Sequence, residues 1–121
     1  MDHDEAKIII KELFYGICSI HSFGICHRDI HPENILIKSN NEKSFEVKII
    51  DFNAAFETSS KPEDYKMKEV IGFIPYRAPE VNANNSEGYD SSIDFWGLGA
   101  IAYKIASGKA PFGEIASDET L

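Results

Sequence analysis

Ile10, Leu13, Phe14, Ile17 and Ile20 recur at the three- and four-residue spacing of one helix face, which predicts an amphipathic helix over residues 2–23. Asp2 with Glu5 three residues on is a capping-box-like start, although Ser or Thr is the usual first residue. Gly24 ends the run, as glycine does where the backbone must turn left-handed. Two β-rich runs, Ile35 to Lys38 and Phe45 to Ile50, flank the polar Ser39-Asn40-Asn41-Glu42-Lys43 and predict a hairpin-like pair. Residues 54–70 are polar and contain Thr58, Ser59, Ser60 and Lys61-Pro62, which predicts a long loop of the kind that is usually functional or disordered. A second polar loop covers residues 82–90. From Ser92 to Ser107 the apolar positions Ile93, Phe95, Trp96, Leu98, Ile101, Tyr103 and Ile105 go nearly all round, and a helix without a clear polar face is a buried one. Gly108 and Pro111 stop it, and residues 111–121 read as a loop leading onward.

Composition narrows the class. The chain has 121 residues, at most one ordinary domain, and its 43% hydrophobic and 12% aromatic content is that of a globular chain. A net charge of −8 argues against non-specific nucleic-acid binding, which needs a basic surface. Cys18 and Cys26 have no metal-ligand spacing and read as reduced thiols of an intracellular protein. Ile8-Ile9-Ile10 is too short for a membrane segment or a signal peptide. A cytoplasmic location is therefore expected, with the nucleus left open. The sequon Asn84-Asn85-Ser86 has little weight in such a chain.

The chemistry concentrates in His27-Arg28-Asp29-Ile30-His31-Pro32-Glu33-Asn34-Ile35-Leu36. Pro32 forbids a continuous helix between Asp29 and Asn34, so a carboxylate and an amide oxygen can curl into one cleft. A second acid, Asp51, ends the apolar run Val47-Lys48-Ile49-Ile50 and is followed by Phe52-Asn53. Two acids and an asparagine at loop ends are what a divalent metal bound to phosphate oxygens requires. A lone Asp in a turn is more often a cap or a solvated side chain. The order of the motifs, with Ala78-Pro79-Glu80 further on, is what separates the two readings.

In that order the set resembles the protein-kinase signatures: the catalytic loop, the metal-binding Asp-Phe-Gly segment and the Ala-Pro-Glu motif. The resemblance implies an α+β fold, a partial kinase-like C-terminal lobe that is mainly helical with short β-hairpins. It spans residues 1–121 as one partial kinase domain, without the N-terminal lobe or the last helices. It implies a protein serine/threonine kinase acting on a protein substrate, with ATP and Mg2+ as cofactors. Asp29 would accept or orient the substrate's hydroxyl proton, with His31 beside it in the catalytic set. Asn34 and Asp51 would hold the metal ions, and Leu36 would form the floor under the adenine. His27 and Phe52 would stack in the interior and hold Asp51. Arg28 would receive a phosphate carried on the activation segment, with Thr58, Ser59, Ser60 or Tyr65 as acceptors. Glu80, Asp94 and Trp96 would be structural, Asp94 taking hydrogen bonds from the catalytic-loop backbone.

The chain also departs from the family. His31 stands where a lysine reaches toward the transferred phosphate, and a histidine at its reference pKa of about 6.5 is mostly neutral at neutral pH. Phe73 replaces the threonine that joins that lysine to the catalytic aspartate, so both partners are lost together. Asn53 replaces the glycine of the metal-binding segment, a mild change if left-handed geometry is needed there. No glycine-rich phosphate loop, strand lysine or helix glutamate is present. Two alternatives to an active kinase stay open: a pseudokinase that binds partners without phosphotransfer, and a truncated product with no function of its own.

Overall fold

The computed structural model of the protein describes residues 2–40 and 44–108. In chain order they form α1 (His3–Ser22), β1 (Ile25–Cys26), β2 (Ile35–Asn40), β3 (Ser44–Ile49), β4 (Phe56–Glu57) and α2 (Ile93–Ser107). Short 3-10 turns lie at Pro32–Asn34, Thr58–Ser60 and Ile74–Tyr76. The fold is α+β, as expected. Asn41 to Lys43 in the hairpin tip and Pro111 with the loop after it lie outside the described residues.

The first helix starts where local chemistry places it. Asp2 accepts from the Glu5 N–H at 2.8 Å and the Glu5 carboxylate accepts from the Asp2 N–H at 3.1 Å, so both arms of the capping box are made. Gly24 follows the helix at φ 74°, a left-handed position. The buried stripe of α1 is Ile9, Leu13 and Ile17, one turn apart each. Phe14, expected on that face, is 42% exposed, its ring resting 5.6 Å from that of Phe95 on α2.

The hairpin pairs β2 with β3 in the register Ile35↔Ile49 to Asn40↔Ser44. Phe45, Val47 and Ile49 share the half-buried face of β3, which packs on α1. Residues 54–70 are not structureless: β4 pairs antiparallel with β1, Cys26 opposite Phe56 and Ile25 opposite Glu57. An isolated bridge between Met67 and Tyr89 ties the same stretch to residues 82–90.

The second helix is less buried than its composition suggests. Ile93, Asp94, Gly97, Ala100 and Ile101 are buried, whereas Trp96 is 38% and Tyr103 51% exposed. Trp96 is thus not a core residue here. One core gathers Leu13 and Ile17 of α1, Ile30, Tyr76, and Ala100 and Ile101 of α2. A second gathers Cys26, Met67, Ala78, Val81, Tyr89 and Ile93. The loop from His27 to Asn34 runs between the two, with Ile30 in the first and Cys26 leading into it from the second.

Candidate active site

Asp94, in the first turn of α2, is nearly fully buried and organises the loop's entry. Its Oδ2 accepts from the His27 N–H at 2.9 Å and its Oδ1 from the Arg28 N–H at 2.9 Å. His21, near the end of α1, places Nε2 2.8 Å from Oδ2. These bonds hold Arg28 at φ 70°, a left-handed conformation that costs a non-glycine residue of order 1 kcal/mol. The Cys26 sulfur lies near the same carboxylate, within 4.8 Å of the His21 and Asp94 ligand atoms. Because Asp94 is already taken by two amides and an imidazole, this cluster is a hydrogen-bonded hub.

The hairpin then brings the two metal-ligand candidates together. The Ile50 N–H donates to the Asn34 carbonyl at 2.9 Å, which extends the β2–β3 ladder by one step. His27 donates from Nε2 to the Ile50 carbonyl at 2.9 Å, while its Nδ1 accepts from the Asp29 N–H at 3.1 Å. Ile50 is therefore bonded to both ends of the loop, and Asp51 follows it at φ 60°. The left-handed residue of this segment is Asp51; Asn53 has an ordinary φ, so its replacement of glycine needs no special tolerance. Asp51 is exposed and its Oδ1 accepts from the Asn53 N–H at 3.2 Å.

Asp29 is held from three directions. Its Oδ1 accepts from the Phe73 N–H at 3.0 Å and faces His31 Nε2 at 3.5 Å. Its Oδ2 accepts from Asn34 Nδ2 at 3.2 Å, and the same amino group reaches the Asp29 carbonyl at 2.9 Å. Burial pushes the Asp29 carboxyl up, but His31, the Phe73 amide and Asn34 together hold it below its ordinary range. The close approach of residues 72–73 needs Gly72, at φ 109°, where a Cβ would meet the Arg28 carbonyl oxygen at 2.9 Å. Gly97 does the same from below, since a Cβ there would meet the Ile30 Cβ at 2.7 Å.

Arg28 is buried and bonded through Nε and Nη1. Its Nε donates to the Ala54 carbonyl at 2.7 Å, and Nη1 donates to Glu69 at 3.1 Å and to the Tyr89 hydroxyl at 3.3 Å. The guanidinium also lies over the Phe56 ring, 5.3 Å from its centroid. Thr58, Ser59 and Ser60 form a 3-10 turn tied to Gly24, whose carbonyl accepts from the Thr58 and Ser59 amides at 2.7 and 3.1 Å. None of the three hydroxyl-bearing residues bonds to Arg28. Glu69 and Tyr89, its actual partners, carry no signal in sequence that singles them out.

The remaining candidates are placed as follows. His27 is buried and meets the Phe52 ring edge-on at 4.9 Å. Phe52 itself is 45% exposed, so of the pair only His27 lies in the interior and Phe52 covers it from the rim. Leu36 is an exposed side chain on β2, opposite Lys48. Glu80 is exposed, and its carbonyl accepts from Asn85 Nδ2 at 2.7 Å.

The family model for the protein kinase domain matches residues 1–121. The chain belongs to the protein kinase family. It is 36% identical over 124 residues to the Citron Rho-interacting kinase of Mus musculus, covering 99% of this chain and 6% of that protein. Over 115 residues it is 39% identical to the serine/threonine-protein kinase chk-2 of Caenorhabditis elegans, covering 95% of this chain and 23% of that one. The chain thus spans less than a quarter of the length of either relative. Among solved structures, the yeast RNA Pol II CTD kinase CTDK-1 complex superposes with a TM-score of 0.81 at 27% identity, over 98% of this chain and 36% of that chain. No helix among the described residues of this kinase-family chain is long and apolar enough to cross a membrane.

Proposed function

We propose that this chain is part of the C-terminal lobe of a protein serine/threonine kinase, the part that orients the substrate hydroxyl and holds the metal-bound phosphates. The observation that supports this best is the joining of Asp29, Asn34 and Asp51 through one short bonded path: Asn34 to Asp29 by its side chain, and Asn34 to Ile50 by its backbone. Asn34 uses its amino group on Asp29, so its amide oxygen is the atom left to offer a cation. Asp51 keeps one carboxylate oxygen beyond its bond to Asn53. Hard oxygen donors on two short segments suit Mg2+, and the bound cation supplies neutralisation of phosphate charge.

Asp29 would take the acceptor hydroxyl on Oδ2, since Oδ1 is bonded to Phe73 and faced by His31 whereas Oδ2 carries one bond. Held ionised at neutral pH, it orients the nucleophile and receives its proton as the bond to phosphorus forms. Leu36, exposed on β2, offers an apolar surface for the adenine. Serine and threonine as acceptors follow the name of the chk-2 relative, and ATP as donor is what membership of the protein kinase family implies.

A second reading, partner binding without phosphotransfer, is favoured by His31 and Phe73 standing where the family carries a lysine and its threonine partner. Titration of Mg2+ and ATP into the 15N-labelled chain tests the first step. Amide signals of Asp29, Asn34 and Asp51 are expected to shift, and Asp51→Asn is expected to abolish the shifts. Shifts scattered elsewhere, or none, would overturn the nucleotide reading. Phosphotransfer to Ser- and Thr-bearing peptides by the chain fused behind a kinase N-terminal lobe, lost in Asp29→Asn, separates the enzyme from the binding module.

A further inference from the structure

We propose that the acceptor side of this site takes an aromatic hydroxyl, so that tyrosine joins serine and threonine among its acceptors, with the exposed Phe73 ring as the platform for the tyrosine ring. The inference rests on the kinase reading of Asp29 and names a substrate class for it. Its test can fail while that reading stands.

Two rings, His31 and Phe73, occupy the positions where the family carries a lysine and a threonine. The surroundings of Asp29 thereby become aromatic. Phe73 meets the carboxylate through its backbone N–H, which donates to Oδ1 at 3.0 Å, so its ring projects from a residue in direct contact with Asp29. Two buried rings support it. The His31 imidazole lies 4.8 Å away between centroids, tilted by 52°, and the Tyr76 ring is nearly parallel to it at 6.0 Å. Phe73 is nevertheless 43% exposed. A phenyl ring left open to water forfeits the free energy of its burial until an apolar group covers it. Because this ring is already held by its neighbours, covering it costs little further side-chain entropy.

The cover has to suit what Asp29 does. A serine carries its hydroxyl one bond beyond Cβ and has no surface to lay on Phe73 while that oxygen meets the carboxylate. A tyrosine offers ring and hydroxyl as one rigid piece. Its ring can lie on Phe73 in the offset or edge-on geometry that aromatic pairs favour. Its oxygen then meets Asp29 Oδ2, which carries a single bond, from Asn34 Nδ2 at 3.2 Å. The phenol oxygen forms its bond to the γ-phosphorus of ATP as the bond from that phosphorus to the ADP oxygen breaks, and the phenol proton passes to Asp29. A phenol, with a reference pKa near 10, gives up that proton more readily than an aliphatic hydroxyl.

Peptides identical except for a central Tyr, Phe or Ser, titrated into the 15N,13C-labelled chain, test this. The Tyr peptide is expected to bind roughly fivefold more tightly than the Ser peptide, the size of one aromatic pair, with NOEs from its ring to the Phe73 ring protons. The Phe peptide should keep those NOEs without moving the Asp29 carboxyl carbon signal, which the Tyr peptide should move. Phe73→Leu, similar in bulk but without a ring, should remove the preference for Tyr, and Phe73→Tyr should keep it. Equal affinity for the Tyr and Ser peptides, no binding of either, NOEs to another ring, or a preference that survives Phe73→Leu would overturn the proposal. So would a Ser peptide with a neighbouring Phe that matches the Tyr peptide and shows NOEs from that Phe, since the ring would then serve a residue flanking the acceptor. Shifts of Asn34 and Asp51 with Mg2+ and ATP, measured on the same sample, tell the two readings apart: present, the kinase reading stands alone; absent, it falls as well.

Discussion

At the scale of single residues, two carboxylates do opposite work. Asp94 is buried and satisfies backbone amides, whereas Asp29 keeps part of its carboxylate open to solvent. Replacing Asp94 by Ala leaves the His27 and Arg28 amides buried without acceptors. Each such loss costs about 1–3 kcal/mol, so Asp94→Ala should destabilise by a few kcal/mol in urea unfolding and release Arg28 from its left-handed φ. Asp29 contributes differently. Burial works against its charge, yet His31, the Phe73 amide and Asn34 leave its carboxyl below the ordinary range in the folded chain. A group whose folded pKa is depressed stabilises the fold above its unfolded pKa and stops doing so as pH falls through the folded one. The stability advantage of the native chain over Asp29→Asn should be full at neutral pH and shrink below the usual carboxylate range. Unfolding curves of the two proteins taken from neutral to acid pH check this; parallel curves would contradict it.

At the scale of elements, α2 shows how a helix can be specified at one glycine and indifferent at its neighbour. Gly97 lies against Ile30, where a Cβ would come within 2.8 Å of a backbone oxygen, while Gly99 has nothing within 4 Å of the same added atom. Gly97→Ala should therefore cost about 1–3 kcal/mol through overpacking. Gly99→Ala should stabilise by about 0.5–1 kcal/mol, because alanine loses less backbone freedom in a helix. Thermal unfolding of both variants makes the comparison. The start of α1 was legible in sequence because its cap is built within four residues: Asp2 and Glu5 find each other whatever else the chain does. The left-handed glycines 24 and 108 were legible for the same reason. Which stripe of α1 goes inside was not, since Ile9 and Phe14 are both apolar and only the packing of β3 and α2 chooses between them.

At the scale of the whole molecule, the two thiols report on integrity. Burial, and then the charge of Asp94, push the Cys26 thiol far up, whereas Cys18 is partly accessible on α1. A thiolate-specific reagent at neutral pH should modify Cys18 readily and Cys26 only when the fold opens, so the second phase should follow the unfolding curve. Sequence by itself determined the order of elements, the hairpin and the concentration of acids, amide and histidines in residues 27–36, because periodicity, caps and turn residues act over a few neighbours. It also determined the family, because the spacing within each motif is local. Only the tertiary structure decided that the Phe73 amide, 44 residues away, bonds Asp29, that Glu69 and Tyr89 take the Arg28 guanidinium, and that Phe56 pairs with Cys26. Those choices depend on which distant backbone groups remain unpaired once the two cores have closed. That remainder is a property of the packed chain, and no short window of residues contains it.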